Sequence, residues 1–209
     1  MSSTATQGRA ARRPEAAESG KYSPRTPRLT ERQAQTVDRL AAAALDEVRD
    51  HGFEGLTVRS VARRAGVASG TAYTYFASKE HLVAEVFRRR LAALPDAQVD
   101  RRRSANARVG DALAGIAVLI ADEPELAAAA TPALLAPDPD VKRVRDQLGV
   151  EIRRRVARAL GDDADPAVLR SLEMVVAGAT LQAGMGHVDY ADLPARLAEA
   201  AGLILGGRP

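Results

Sequence analysis

Cysteine is absent from all 209 residues, which excludes disulfides, a thiolate nucleophile and any cysteine-ligated metal. Aromatic residues make up only 3% of the chain and tryptophan is missing, yet 46% of the residues are hydrophobic. A core is therefore available, and it must be built mainly of Ala, Leu and Val. Membrane-length apolar runs are missing too. The longest, residues 112–121, stops at Asp111 and Asp122 and reaches about half of what a bilayer needs. The N-terminus lacks the apolar stretch of a secretory signal. These absences predict a soluble, cytoplasmic protein with no membrane contact. The three histidines, His51, His81 and His187, are scattered, with no carboxylates at ligand spacing, so no metal site is predicted. Residues 66–70 lack the Lys-Ser/Thr that follows a phosphate loop. Gly184-Met185-Gly186 lacks the strand and third glycine of a dinucleotide site. No catalytic machinery and no cofactor site is visible, and an enzyme is not expected.

What is present is a basic balance, net +3 with a pI near 9.6, and its distribution carries more than its size. Within residues 1–28, Arg9, Arg12, Arg13, Lys21, Arg25 and Arg28 face only Glu15 and Glu18. That stretch is rich in Ser, Thr, Gly and Pro and has few large apolar residues, so it cannot offset its own ordering entropy. A mobile basic arm is predicted, reaching DNA phosphates or a minor groove. The competing reading is an extension that aids solubility. The runs Arg101-Arg102-Arg103 and Arg153-Arg154-Arg155 could bind an acidic ligand or simply form solvated helix faces.

Order is predicted to begin at Thr30. Thr30-Glu31-Arg32-Gln33 fits a capping box, with Gln33 reaching back to the cap amide. Val37, Leu40, Ala41, Ala44, Leu45 and Val48 then recur on one helix face, which His51-Gly52 ends. In residues 55–79, Thr57 is placed as the N-cap of a short helix with Val58, Val61 and Ala62 as its apolar stripe. Ala65-Gly66-Val67 ends that helix, since glycine takes the left-handed conformation a sharp stop needs. Ser69 is placed as the cap of the next helix, with Ala72 and Phe76 facing inward. Two short helices and a tight turn make a helix-turn-helix, which lays its second helix in the DNA major groove.

Gly52-Phe53, Leu56-Thr57-Val58, Val61-Ala62, Ala65-Gly66-Val67, Gly70-Thr71, Tyr73, Tyr75-Phe76 and Ser78-Lys79-Glu80, in that order, resemble the tetracycline-repressor (TetR) family of transcriptional regulators. The resemblance spans roughly a quarter of the chain, with Ala72 and Thr74 smaller than the residues usual there. It implies an all-α fold: a three-helix DNA-binding unit (residues 29–78) after the arm (1–28), then a helical bundle for effector binding and dimerisation (79–209). The residues themselves single out Ser69, Gly70, Thr71, Tyr73, Thr74 and Tyr75 as unclaimed by the core. Gly70 permits close backbone approach, Thr71 and Thr74 can reach base edges or thymine methyls, and the two tyrosines can donate to phosphates. Arg59 could offer a guanidinium to guanine. By resemblance Thr57 and Lys79 grip phosphates, and Lys79 also lies at a helix N-terminus, where amides favour an anion.

Beyond residue 79 the pattern is helical with clear stops. Ser78 caps a fourth helix with Leu82, Val83, Val86, Phe87 and Leu91 inside and Pro95 as its end. Residues 106–121 form another, broken before Pro124. Asp138-Pro139, Asp165-Pro166 and Asp192-Leu193-Pro194 open three more. A pocket is expected between the fourth helix and those that follow, walled by Leu113, Ile116, Ile120, Leu134, Leu148, Met174 and Leu181, with Gln182 and His187 to orient a ligand. With few aromatics there, an aliphatic or lipid-like effector suits it better than a flat aromatic one. Small residues on the last two long helices, with Leu172, Val176, Ala179, Ala183, Leu197, Ala201 and Ile204, suggest a homodimer interface, the alternative being an ordinary intramolecular core. The partners so implied are double-stranded operator DNA, a second copy and a small-molecule effector. The function so implied is that of a homodimeric repressor released by a small hydrophobic effector; the alternative is a ligand-binding bundle with a vestigial DNA-binding motif.

Overall fold

Caps and prolines divide the chain into helices, and the computed structural model describes them over residues 30–161 and 164–206. The basic segment 1–28 lies outside the described residues. Thr30 caps α1 (Glu31–Gly55) through the reciprocal bonds of a capping box, as the sequence predicts. Gly52, at a φ of 65°, breaks the regular course near the predicted stop, although helical turns resume to Gly55. Next come α2 (Val58–Arg64), α3 (Ser69–Tyr75), α4 (Lys79–Ala93), α5 (Ala105–Asp122) and α6 (Pro124–Leu135). Then follow α7 (Pro139–Leu160), α8 (Pro166–Gly184), a 3-10 turn (Tyr190–Asp192) and α9 (Leu193–Ile204). No strand occurs among the described residues, and the fold is all-α.

Helix α6 is an addition to the sequence reading, which treats Pro124 only as the end of α5. The same proline stands at the start of α6, where its missing N–H costs nothing. Pro132 interrupts the helix pattern from within, but it lies on the exposed side. Leu126, Ala127, Ala129, Ala130 and Ala133 nevertheless bury an inner face against α1 and α4.

The N-terminal core joins Leu40, Ala44 and Val48 of α1 to Val58, Val61 and Ala62 of α2, Ala72 of α3, Phe76, and Leu82 and Val83 of α4. Burying each of the larger side chains contributes about 1.5–3 kcal/mol. Further on, α4 packs on α6 and α7, and α5 packs on α9 and α7.

Arginines finish several helices. Arg155, itself 7% exposed, reaches from α7 to donate to the carbonyls of Leu91 (3.1 Å), Leu94 (2.8 Å) and Pro95 (3.1 Å) at the end of α4. Arg145 does the same for Leu134 and Ala136 after α6. Arg108 does it for Ala159 and Leu160 at the end of α7. Each supplies a cation and donors where a helix has surplus carbonyls. At the other end of α4, the Ser78 hydroxyl donates to Asp138, the N-cap of α7 (2.8 Å). Helix α7 thus holds α4 at both ends. Glu123, only 6% exposed, takes Arg49 of α1 (2.8 Å) and Arg90 of α4, tying the start of α6 to the N-terminal helices.

Candidate nucleic-acid interface

Two short helices and the turn between them make the interface, and backbone chemistry fixes the turn. Thr57 Oγ1 accepts from Ser60 N (3.0 Å), while Ser60 Oγ accepts from Thr57 N (3.2 Å), so the start of α2 is capped from both sides. At its end Val67 N donates to Ala62 O (2.9 Å) and Gly66 N to Arg63 O (3.2 Å), the paired bonds of a Schellman stop. Gly66, at a φ of 63°, supplies the left-handed residue this geometry requires.

Helix α3 then begins at Ser69. Its N-cap is Ala68, with no side-chain bond, so the placement of Ser69 as the cap is corrected. Ser69 is the first helical residue and half-buried. The Schellman bonds satisfy the α2 carbonyls of Ala62 and Arg63, and the first amides of α3 are left without a side-chain cap. Ala72 and Phe76 seat the helix in the core, leaving Gly70, Thr71, Tyr73 and Thr74 exposed on one outer surface, Tyr73 at 48%. A Cβ built on Gly70 would meet nothing within 4 Å. Internal packing therefore gives no reason for glycine there, whereas close approach of an outside backbone does. Any α-helix is about 10–12 Å across with its side chains, which a major groove about 12 Å wide admits, and α3 is about 10 Å long.

Not every predicted contact is equally free. Thr74 Oγ1 donates back to Gly70 O (3.1 Å), so it offers its methyl and lone pairs rather than its proton. Tyr75 is half-buried and packs against the core. Lys79 Nζ donates to Phe53 O (3.1 Å), lies 3.8 Å from Glu54 and sits 4.3 Å from the centroid of the Phe53 ring. It fastens α4 to the end of α1 and keeps two donors for a phosphate. Arg59 is exposed and has no ion-pair or hydrogen-bond partner among the described residues. The same holds for Arg63, one turn further along α2. Arg64, by contrast, is held by Glu47 (2.8 Å) and Asp50 (2.6 Å), and its hydrogen bond keeps the Asp50 carboxyl below the usual range. Sequence reasoning missed Arg63. Its i, i+4 spacing from Arg59 was the available signal. Close by, burial lowers the pKa of His81 in the first turn of α4, and its Nδ1 has no partner among the described residues.

The remaining site residues are spread between the core and the outer surface. Leu172, Val176, Ala183, Leu197 and Ala201, assigned to a dimer interface, are buried within one chain, with Ala179 and Ile204 packed beside them. Within one chain α8 packs on α6, α7 and α9, and α9 on α5 and α8, which covers the five buried side chains and leaves Ala179 and Ile204 partly exposed. Met174 (75% exposed) and Leu181 (37% exposed), assigned to the pocket wall, face outward, as do Gln182 and His187. Leu113, Ile116, Ile120 and Leu148 are buried and Leu134 packs against the core, so the nine residues do not line one space. A cavity of about 230 Å³ lies elsewhere, between the segment after α4, α5 and α7.

The family model for bacterial regulatory proteins of the tetR family matches residues 40–86, which hold this interface. An HTH-type transcriptional regulator of Mycobacterium tuberculosis (strain H37Rv) is 45% identical over 178 residues, 84% of this chain and 83% of that protein. The HTH-type transcriptional repressor KstR of Rhodococcus jostii (strain RHA1) is 32% identical over 136 residues, 62% of each chain. A solved TetR transcriptional regulator from Rhodococcus sp. RHA1 has the same fold, with a TM-score of 0.70 at 24% identity, covering 86% of this chain and 100% of that one.

Proposed function

Since this chain belongs to the tetR family of bacterial regulatory proteins and is a DNA-binding transcriptional regulator, we propose that it acts as a homodimeric repressor released from its operator by a small effector. The carrying observation is the outer surface of α2 and α3: Arg59, Gly70, Thr71 and Tyr73 lie exposed and uncommitted on a rigidly capped pair of helices. Thr71 and Arg59 read bases, Tyr73 and Ser69 hold phosphates beside Thr57 and Lys79, and Arg63 adds a cation. The similarity to a named repressor supports repression rather than activation. The domain division after Ser78 and a cytoplasmic location belong to the same reading; no described helix is long and apolar enough to cross a membrane.

Dimerisation would place two recognition helices about 34–36 Å apart, one turn of DNA. Its surface is the stripe Met174, Ala177, Gly178, Leu181 and Met185 on α8, with Leu203 (66% exposed) on α9. These α8 residues follow one another at i, i+3, i+4, i+7 and i+11, a continuous face that one chain leaves uncovered. The effector binds the bundle better in a state whose recognition helices are mis-spaced, since only a differential affinity can shift the equilibrium. A gel shift of the full chain against the DNA upstream of its own gene tests the reading. A retarded, saturable complex that Arg59→Ala and Thr71→Ala together weaken is expected; equal binding of wild type and double variant to any DNA would sink it.

A further inference from the structure

Three guanidiniums surround one carboxylate beside the 230 Å³ cavity. Asp96, in the segment after α4, accepts from Arg154 (2.7 and 3.1 Å), pairs with Arg158 and lies 3.8 Å from Arg155. These contacts, Arg154's hydrogen bond first, hold its carboxyl below the usual range. Asp96, Arg155 and Arg158 all line the cavity.

The donors there are unequally committed. Arg155 is spent on Glu151 and the α4 carbonyls, and Arg154 on Asp96 and Glu151. Arg158 makes only its Asp96 contact through Nη1, leaving Nε and Nη2 without partners among the described residues. Asp111, also on the wall, is neutralised by Arg103. The charged lining is balanced, Arg155 and Arg158 against Asp96 and Asp111, and the uncommitted donors on it belong to Arg158. The rest of the lining, including Ala97, Val99 and Ala112, is small and apolar. Gly115 of α5 opens onto the cavity, with nothing within 4 Å of where a Cβ would stand. The volume falls below the roughly 300–1,000 Å³ of drug-sized pockets, which suits a short ligand.

We infer that this cavity binds a short-chain organic acid, its carboxylate taken by the open edge of Arg158. The inference rests on the effector reading above and replaces a purely hydrophobic ligand by one with an anionic head. Arg158's Nε and Nη2, the edge that Asp96 leaves open, match a carboxylate in the bidentate manner.

Isothermal titration calorimetry of the full chain at neutral pH, with hexanoate and hexanamide as probes, tests this. Hexanoate binding at least tenfold tighter than hexanamide is expected. Arg158→Gln should bring the acid down to the level of the amide. Asp96→Asn, which removes a negative charge beside Arg158, should strengthen the acid several-fold. Gly115→Leu, a favourable helix substitution whose folding circular dichroism checks, should abolish binding of both. Absent hexanoate binding, equal binding of acid and amide, or weaker acid binding in Asp96→Asn would overturn the inference. The gel shift is read in parallel. If hexanoate binds with this pattern but leaves DNA bound, the site stands and release by this effector falls. If a neutral molecule releases the DNA and hexanoate does not bind, the site falls and the repressor reading stands.

Discussion

The helix-turn-helix and the bundle behind it use apolar residues differently. In α2 and α3 the buried residues form one narrow stripe, Val58, Val61, Ala62 and Ala72, and every other direction is polar, small or aromatic at the surface. Only one face can turn inward, so the outward face follows. Helix α8 is apolar nearly all round: Leu169, Leu172, Val176 and Ala183 lie inside, while Met174, Ala177, Leu181 and Met185 lie outside. Periodicity there offers two inward faces of similar merit. A unit with one apolar stripe has its site dictated locally, whereas a helix with two has it dictated by its neighbours.

That contrast is sharpest if the two faces of α8 respond oppositely to substitution. Leu172→Ala, at a fully buried position, should lower unfolding stability by about 2–5 kcal/mol in chemical denaturation. Met174→Ala, on the exposed face, should leave monomer stability within about 0.5 kcal/mol. Equal losses at both would break the comparison.

A second test carries the outer face to the proposed dimer. Leu181→Glu with Leu203→Glu should weaken self-association at least tenfold in analytical ultracentrifugation while the helical circular dichroism remains. A wild-type chain that sediments as a monomer at micromolar concentration would remove the proposed role of this face.

Effects on the DNA-binding unit should separate by contact type. Thr71→Ala should cost about 1–3 kcal/mol on the operator and less on random DNA, measured by fluorescence anisotropy. Lys79→Ala should weaken both nearly equally and flatten the salt dependence, because a phosphate contact is lost. It should also lower stability slightly, since Lys79 joins α4 to Phe53. A Thr71→Ala protein with unchanged operator affinity would remove that residue from base reading.

The smallest expected effect concerns the basic segment before α1. Deleting residues 1–28 removes six cations, and the slope of log affinity against log salt should become shallower. Affinity and slope identical to those of the full chain would reduce the segment to a passive extension.

Capping chemistry was legible because it is local. The Thr30 box, Thr57 at the start of α2, Gly66 at its end and Ser78 before α4 all depend on residues within a turn of one another. Ser69 failed as a cap because the helix begins one residue earlier than the hydroxyl pattern implies, placing Ala68 at the cap and Ser69 inside the first turn. Helix α6 was hidden because its first proline also ends α5, so one residue carried two signals. The runs of arginine could not be resolved from sequence either. Within one of them Arg153 reaches Glu173, Arg154 reaches Asp96, and Arg155 reaches the end of α4.

By itself the sequence determined the all-α class, most helix starts and stops, and the outward surface of the recognition helix. Each follows from short-range backbone satisfaction or from a single apolar stripe. Only the tertiary structure decided which face of α8 is core, where the cavity lies, and that Arg155, Glu123 and Asp138 fasten α4 to its surroundings. Those outcomes depend on partners tens of residues away, and neither hydrophobic period nor charge run encodes which distant carbonyl or carboxylate a side chain will meet.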